Sequence, residues 1–268
     1  MAETLYPGVA LVTGAAGTGI GSGVALAFAE AGCRSIAITD RNEELLMKNQ
    51  EALTEQFPNA KIFALAGDIT QEKFVDELIA TVVQTFGRLD YCVNCAGIMG
   101  NNQISTETSL EMFDKINDVN YRGCWLSSRA EIKAMLNQEP LPSHDPRRPP
   151  QRGSIVNIAS QLGFVGRPAA TAYCASKAAV MAMTRGDAID YAHKDIRVNC
   201  VCPGVIETPM TTSQPGRREL MAPAILIAPM KRMGQVAEIA DCAIFLCSTK
   251  ASFCQGSAMV VDGGYIIN

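Results

Sequence analysis

The chain alternates short apolar runs with longer amphipathic stretches. The run Val9, Ala10, Leu11, Val12, Thr13 is unbroken and partly β-branched, the pattern of a parallel strand buried on both faces. A glycine-rich segment, 14–21, follows at once, and 24–31 reads as a helix closed by Gly32. The unit then recurs. A strand at 35–39 ending in Asp40 leads to a helix over 42–56, and a strand at 62–65 leads to a helix over 71–86 capped by Thr70. A strand at 89–93 leads to a long helix over 109–136. Further strands are expected at 153–160, 196–201 and 258–261, with helices around Tyr173 and over 235–247. Serial βα units predict an α/β fold, a doubly wound Rossmann-like parallel sheet of about seven strands, in a single domain over 1–268.

Two stretches break this rhythm. Residues 137–153 hold five of the thirteen prolines and can continue neither a helix nor a central strand. They read as an exposed inserted loop with His144 and its arginines in solvent. Residues 208–234 contain Met210, Met221, Met230 and Met233 between Pro and Gly breaks, as expected of an irregular lid over an apolar substrate.

A strand, a glycine loop and a helix in succession are the setting in which the glycines carry meaning. They permit a tight turn and close backbone approach, and the helix N-terminus presents free N–H groups to a pyrophosphate. Asp40, 26 residues after Gly14, sits where a carboxylate would accept hydrogen bonds from an adenosine ribose diol and repel a 2′-phosphate. That favours NAD. Arg41 is next in the chain and is placed to meet a 2′-phosphate or stack on adenine, which keeps NADP as the alternative.

Near the middle of the chain, Tyr173 and Lys177 stand one helical turn apart on one face. A free phenol, with a pKa of about 10, is a poor base at neutral pH. A neighbouring ammonium favours the phenolate and brings it towards the range of a general acid–base. Many helices carry such a pair without chemistry, so its neighbours must decide. Ser160 ends the expected fifth strand, and ligands of open α/β sheets bind beyond the carboxyl ends of strands.

Composition narrows the function further. With a net charge of −4 and a pI of about 5.3, the chain lacks a general electrostatic grip on nucleic acid or anionic membranes. The N-terminal residues show no basic region followed by an apolar run, so no signal peptide is expected, and no stretch approaches the ~18 apolar residues of a membrane span. The ten cysteines lie mostly within apolar segments and are expected to be reduced, which points to the cytosol. Cys92 and Cys95 have CxxC spacing but fall on a strand, on opposite faces, and no second motif completes a metal site.

These motifs, in this order, resemble the short-chain dehydrogenase/reductase family from Val9 to Gly264. Asn120 in Val119-Asn120-Tyr121-Arg122-Gly123, Ser160 thirteen residues before Tyr173, and Tyr173-x-x-x-Lys177 match the family's Asn-Ser-Tyr-Lys tetrad. The resemblance implies cofactor contacts from Gly14, Thr18, Gly19, Ile20 and Gly21 of the loop, Asp40 and Arg41, and Asp68 and Ile69. It implies further contacts from Asn94, Ala96 and Gly97, from Tyr173 and Lys177, and from Pro203, Gly204, Ile206 and Thr208. It also implies that Tyr173 exchanges a proton with a carbonyl or alcohol, that Lys177 lowers the Tyr173 pKa and holds the nicotinamide ribose, that Ser160 binds the substrate oxygen, and that Asn120 holds a water. The expected reaction is NAD(P)-dependent interconversion of a secondary alcohol and a ketone. Gln161, Leu162, Phe164 and Met210 suggest a pocket for a fairly apolar small molecule, cyclic ones included. A homotetramer or homodimer packed through 109–136 and 171–192 is a further implication. The alternative is a scaffold repurposed as a non-redox cyclase, isomerase or binding protein; loss of a tetrad residue would mark it, and all four are present. Two departures stand out. Four residues rather than three separate Gly14 from Gly19, with Gly17 available to absorb the extra one, and the Pro-rich loop lengthens the segment before Ser160.

Overall fold

The computed structural model describes residues 4–213 and 216–267. Met1, Ala2 and Glu3 of the expected N-terminus, and Gln214 and Pro215 of the expected lid, lie outside the described residues. Seven parallel strands form one sheet in the order β3-β2-β1-β4-β5-β6-β7. They are β1 (Val9–Thr13), β2 (Ser35–Asp40), β3 (Lys61–Ala66), β4 (Tyr91–Asn94), β5 (Gly153–Ile158), β6 (Ile196–Pro203) and β7 (Ala258–Val261). The order reverses at β1, so a crevice opens beyond the carboxyl ends of β1 and β4, the usual binding place in such sheets.

All five residues of β1 are buried, because helices cover both faces of the sheet. One face packs on α1 (Ile20–Glu30), α2 (Glu43–Gln56) and α9 (Val236–Cys247), the other on α3 (Glu72–Phe86), α5 (Cys124–Met135) and α6 (Thr171–Tyr191). Phe28 of α1 is fully buried, with Tyr6 edge-on at 5.3 Å. Burial of such a ring contributes roughly 1.5–3 kcal/mol.

Several boundaries differ from expectation. Gln71, not Thr70, precedes α3, and its side chain makes no capping bond. The helix expected over 109–136 is α4 (Leu110–Asn117), a π turn over Asp118–Gly123 that contains Asn120, and α5. The segment expected as an irregular lid contains two helices. Pro209 begins a short α7 (Pro209–Thr212) at the position that tolerates proline, and α8 (Arg217–Ile227) follows with Pro223 inside it. The Pro-rich insert is docked rather than free. Leu141 and Gln151 pair across it, and Gln151 is buried. His144 meets the Thr249 hydroxyl, and Arg148 donates to the carbonyls of Thr249 (3.1 Å) and Lys250 (2.8 Å). The Thr249 hydroxyl and backbone carbonyls just beyond α9 thus hold side chains that the local sequence assigns to solvent, while Arg147 stays exposed beside Asp145.

Candidate active site

The glycine loop fits a dinucleotide. Gly14 adopts φ +67°, and a Cβ there would lie 2.7 Å from the backbone of Ala96, so the loop approaches the end of β4 as only glycine allows. The extra residue is accommodated by Gly17, in the left-handed region at φ +69°. Asn49 of α2 braces this turn from behind, donating to the carbonyls of Ala15 (2.7 Å) and Gly17 (2.8 Å). Asp40 braces it as well, accepting from the Ala16 N–H at 3.1 Å and the Asn42 N–H at 2.9 Å. At the start of α1, Gly19 supplies no side-chain cap, and the space its Cβ would enter is open for 4 Å. The first N–H groups of α1 therefore face an open groove, as an anion-binding helix end requires.

That groove, of about 260 Å³, is lined by Gly14, Gly19, Ile20, Gly21, Asp40, Arg41, Asp68, Ile69, Ala96, Gly97 and Thr208, all expected from sequence, and by Met210. Two expected contacts lie elsewhere. Thr18 is exposed on the loop and does not line the groove. Asn94 is buried behind it, donating to Asn157 Oδ1 (3.0 Å) and Glu131 Oε2 (3.1 Å). Thr13, not singled out in the sequence, accepts from the N–H groups of Cys95 (3.1 Å) and Ala96 (3.3 Å) and so fixes the Cys95–Gly97 turn.

A smaller cavity continues the groove, sharing Ile20, Gly97, Thr208 and Met210 with it. Ser160, Tyr173, Lys177, Pro203, Gly204 and Ile206 line it. Ser160 sits two residues past β5 in extended backbone, where its Oγ accepts the Leu162 N–H at 3.1 Å. Tyr173 and Lys177 rise from the first turns of α6, with Lys177 Nζ 5.9 Å from the centre of the phenol ring. Nζ donates to the Ile158 carbonyl at 2.7 Å. Asn120 is also held at both ends. Its Oδ1 accepts the Ile98 N–H (2.8 Å), and its Nδ2 donates to the Ile98 carbonyl (2.9 Å) and to Ser176 Oγ (3.1 Å). Gly97 is the gap between them: a Cβ there would stand 3.2 Å from Asn120 Oδ1 and 3.5 Å from Lys177 Nζ.

Burial raises the Tyr173 phenol above its ordinary value, and the groups that pull it back are the Ser160 hydroxyl and the charge of Arg167. Burial also lowers the Lys177 ammonium. Lys177 is anchored to the backbone carbonyl of Ile158.

The residues expected around a substrate are dispersed. Met210 lines both the groove and the smaller cavity. Gln161 faces a different cavity, of about 310 Å³, beneath α8, where its Oε1 is buried without a partner. Leu162 is buried, Phe164 is 47% exposed, and neither lines these cavities.

Comparison with known proteins places this geometry in a class. The family model described as "Enoyl-(Acyl carrier protein) reductase" matches residues 14–266. A short-chain dehydrogenase of Aspergillus ruber, fogB, is 41% identical over 264 residues, with 96% of each chain covered. The 2-(R)-hydroxypropyl-CoM dehydrogenase of Xanthobacter autotrophicus is 38% identical, covering 96% of this chain and 98% of its own. The crystal structure of levodione reductase superposes with a TM-score of 0.87 at 30% identity, over 97% of this chain and 98% of that one. The chain belongs to the short-chain dehydrogenase/reductase family and is an NAD(P)-dependent oxidoreductase of that family. Among the described residues, no helix is long and apolar enough to cross a membrane, and all ten cysteines are free.

Proposed function

We propose that the protein interconverts a secondary alcohol and a ketone on a fairly apolar small molecule, cyclic ones included, with Tyr173 as the general acid–base. One observation carries this reading: Ser160, Tyr173 and Lys177 line a cavity that opens into the glycine-loop groove through Ile20, Gly97 and Thr208. The bound NAD(P) supplies or accepts the hydride. The uncapped start of α1 and the open space at Gly19 hold the pyrophosphate, and Asp40, Arg41, Asp68 and Ile69 border the adenosine end of the groove. Tyr173 donates a proton to the carbonyl oxygen in reduction and takes it from the hydroxyl in oxidation. Ser160, with its oxygen already oriented by Leu162, donates to the same substrate oxygen as charge develops there. Lys177 holds the cofactor ribose side of the cavity from its Ile158 anchor. Asn120, tied to Ile98 and Ser176, fixes the turn facing Lys177 and is placed to hold a water leading protons outward.

Asp40 sets NAD above NADP, because a carboxylate at the ribose end repels a 2′-phosphate. Met210, Ile98 and Ile206 give the smaller cavity its apolar character. We read the chain as one catalytic domain, reduced and cytoplasmic, assembling as a homotetramer or homodimer. Exposed apolar side chains on α5 and α6, Trp125 and Ile189, are of the kind such packing covers. The test is oxidation of NADH and of NADPH against a panel of cyclic and aryl ketones, with cofactor binding measured separately by calorimetry. Cofactor binding without turnover of any ketone or alcohol would contradict the reaction proposed.

A further inference from the structure

Glu131 of α5 is fully buried, and it takes no part in the proton transfer. Its Oε2 accepts from Asn94 Nδ2 at 3.1 Å, and its Oε1 is buried without a partner. Among the described residues no lysine, arginine or histidine pairs with it. The titratable groups around it are Cys92 on β4, Cys124 at the start of α5, Cys247 at the end of α9 and Asp187, half-buried on α6. Burial pushes the Cys124 and Cys247 thiols up to about 12, and Cys92 well above its ordinary value, so these groups stay neutral. Burial raises Asp187 to about 6, and above that pH its charge opposes a second one nearby. A carboxylate out of water, with one neutral donor and no cation, is costly, so Glu131 is held as the neutral acid.

Asn94 joins this acid to the site. The same Nδ2 donates to Asn157 Oδ1 at 3.0 Å, and Asn157 Nδ2 donates to Thr184 Oγ1 at 3.0 Å. All these side chains are buried, and their network links β4, β5, α5 and α6. β4 ends at Asn94, where the Cys95–Gly97 turn that lines the cofactor groove begins. β5 leads to Ser160, and α6 carries Tyr173 and Lys177. A buried polar network fixes geometry when its members are satisfied. Glu131 Oε1 and Asn94 Oδ1 both lack a partner, so the cluster is short of a donor, and a protonated carboxyl supplies one.

We propose that Glu131, as a neutral acid, is a positioning residue for the cofactor site: it holds Asn94, and through Asn94 the Cys95–Gly97 turn, and its ionisation releases that hold. This rests on the reading of the groove as the cofactor site. The competing explanation is that Glu131 only fills the interface of α5 with the sheet.

Calorimetric titration of the full-length protein with NADH and with NADPH, from about pH 7 to about pH 9, separates the two. Circular dichroism on the same samples reports that the fold is intact. The wild type is expected to lose about tenfold in affinity for the tighter nucleotide over this range, as the competent neutral form is depleted. Glu131→Gln is neutral at every pH and still accepts from Asn94, so it flattens the profile. Glu131→Leu removes the acceptor and weakens binding about fivefold or more throughout. If Glu131→Gln fails to fold, the infrared carbonyl band of a protonated carboxylic acid in the wild type decides: it is present at neutral pH and fades in step with affinity. Parallel profiles for the wild type and Glu131→Gln, undiminished binding by Glu131→Leu, or a band already absent at neutral pH overturns the proposal. Failure of both nucleotides to bind the wild type at neutral pH would sink the reading of the groove and this proposal with it, whereas binding with parallel profiles sinks this proposal alone.

Discussion

The Asn49 side-chain amide donates to the Gly17 carbonyl at 2.8 Å, across the extra residue of the glycine loop. The same nitrogen reaches Ala15 at 2.7 Å, so one side chain from α2 holds both sides of the bend. Asn49 does not line the cofactor groove. Asn49→Ala removes both bonds and is expected to destabilise the fold by roughly 1–3 kcal/mol through unpaired carbonyls. It should raise the KM for the cofactor while leaving kcat within about twofold, since the reacting groups are untouched. Steady-state kinetics with the cofactor varied checks this; a fall in kcat at unchanged cofactor KM would contradict it.

Gly19 separates binding from stability. Its φ of −86° suits any residue, and a Cβ there meets nothing within 4 Å. Gly19→Ala should therefore melt within a degree or two of the wild type. It should nevertheless weaken cofactor binding about tenfold or more, because the added methyl enters the space in front of the α1 N–H groups. Calorimetric titration beside a melting curve tests both halves. Normal affinity would show that the pyrophosphate lies elsewhere.

Asp40→Asn keeps an oxygen to accept the Ala16 N–H but removes the charge. The ratio of kcat/KM for NADH over NADPH is expected to fall by about tenfold or more, the scale of relieving a like-charge contact. An unchanged ratio would move the source of cofactor preference away from this carboxylate.

Glu131 is fully buried against Asn94, and burial pushes its carboxyl up to about 8. The unfolded chain loses that proton near its ordinary value of about 4.3. Between these pH values the folded state binds more protons than the unfolded one, so this group makes stability fall as pH rises and stops contributing to the slope above the folded value. Glu131→Gln, neutral throughout, is expected to gain on the wild type from pH 5 to 8 in urea denaturation. A stability gap independent of pH would mean that Glu131 is charged in the fold.

Much of this was legible in the residues. The strands of a parallel sheet are continuous apolar runs, and the tetrad and glycine loop are local strings whose order survives folding unchanged. Other features depend on contacts between distant segments. Asn49 reaches the loop from more than thirty positions away, and no local pattern marks it. His144 and Arg148 look solvated until the Thr249 hydroxyl and the carbonyls beyond α9 are brought to them. The π turn at Asn120 shifts the helix phase by one residue, and the flanking helices of 8 and 12 residues are too short for apolar periodicity to reveal the slip. The prolines within 208–234 suggest irregular chain, but a proline also fits a first helical turn. Pro209 occupies a first helical turn, and α8 bears Pro223 inside it. Leu162 and Phe164 follow Ser160 in sequence, but the short 3-10 turn at Gln161–Gly163 carries them away from the cavity.

The central claim is that Tyr173 moves the proton. The direct measurement is kcat of Tyr173→Phe for ketone reduction at saturating cofactor, with cofactor affinity measured on the same protein. The loss of one hydroxyl is expected to cut kcat by about 10²–10⁴-fold with cofactor binding intact. A Tyr173→Phe protein that turns over at near the wild-type rate would contradict the account.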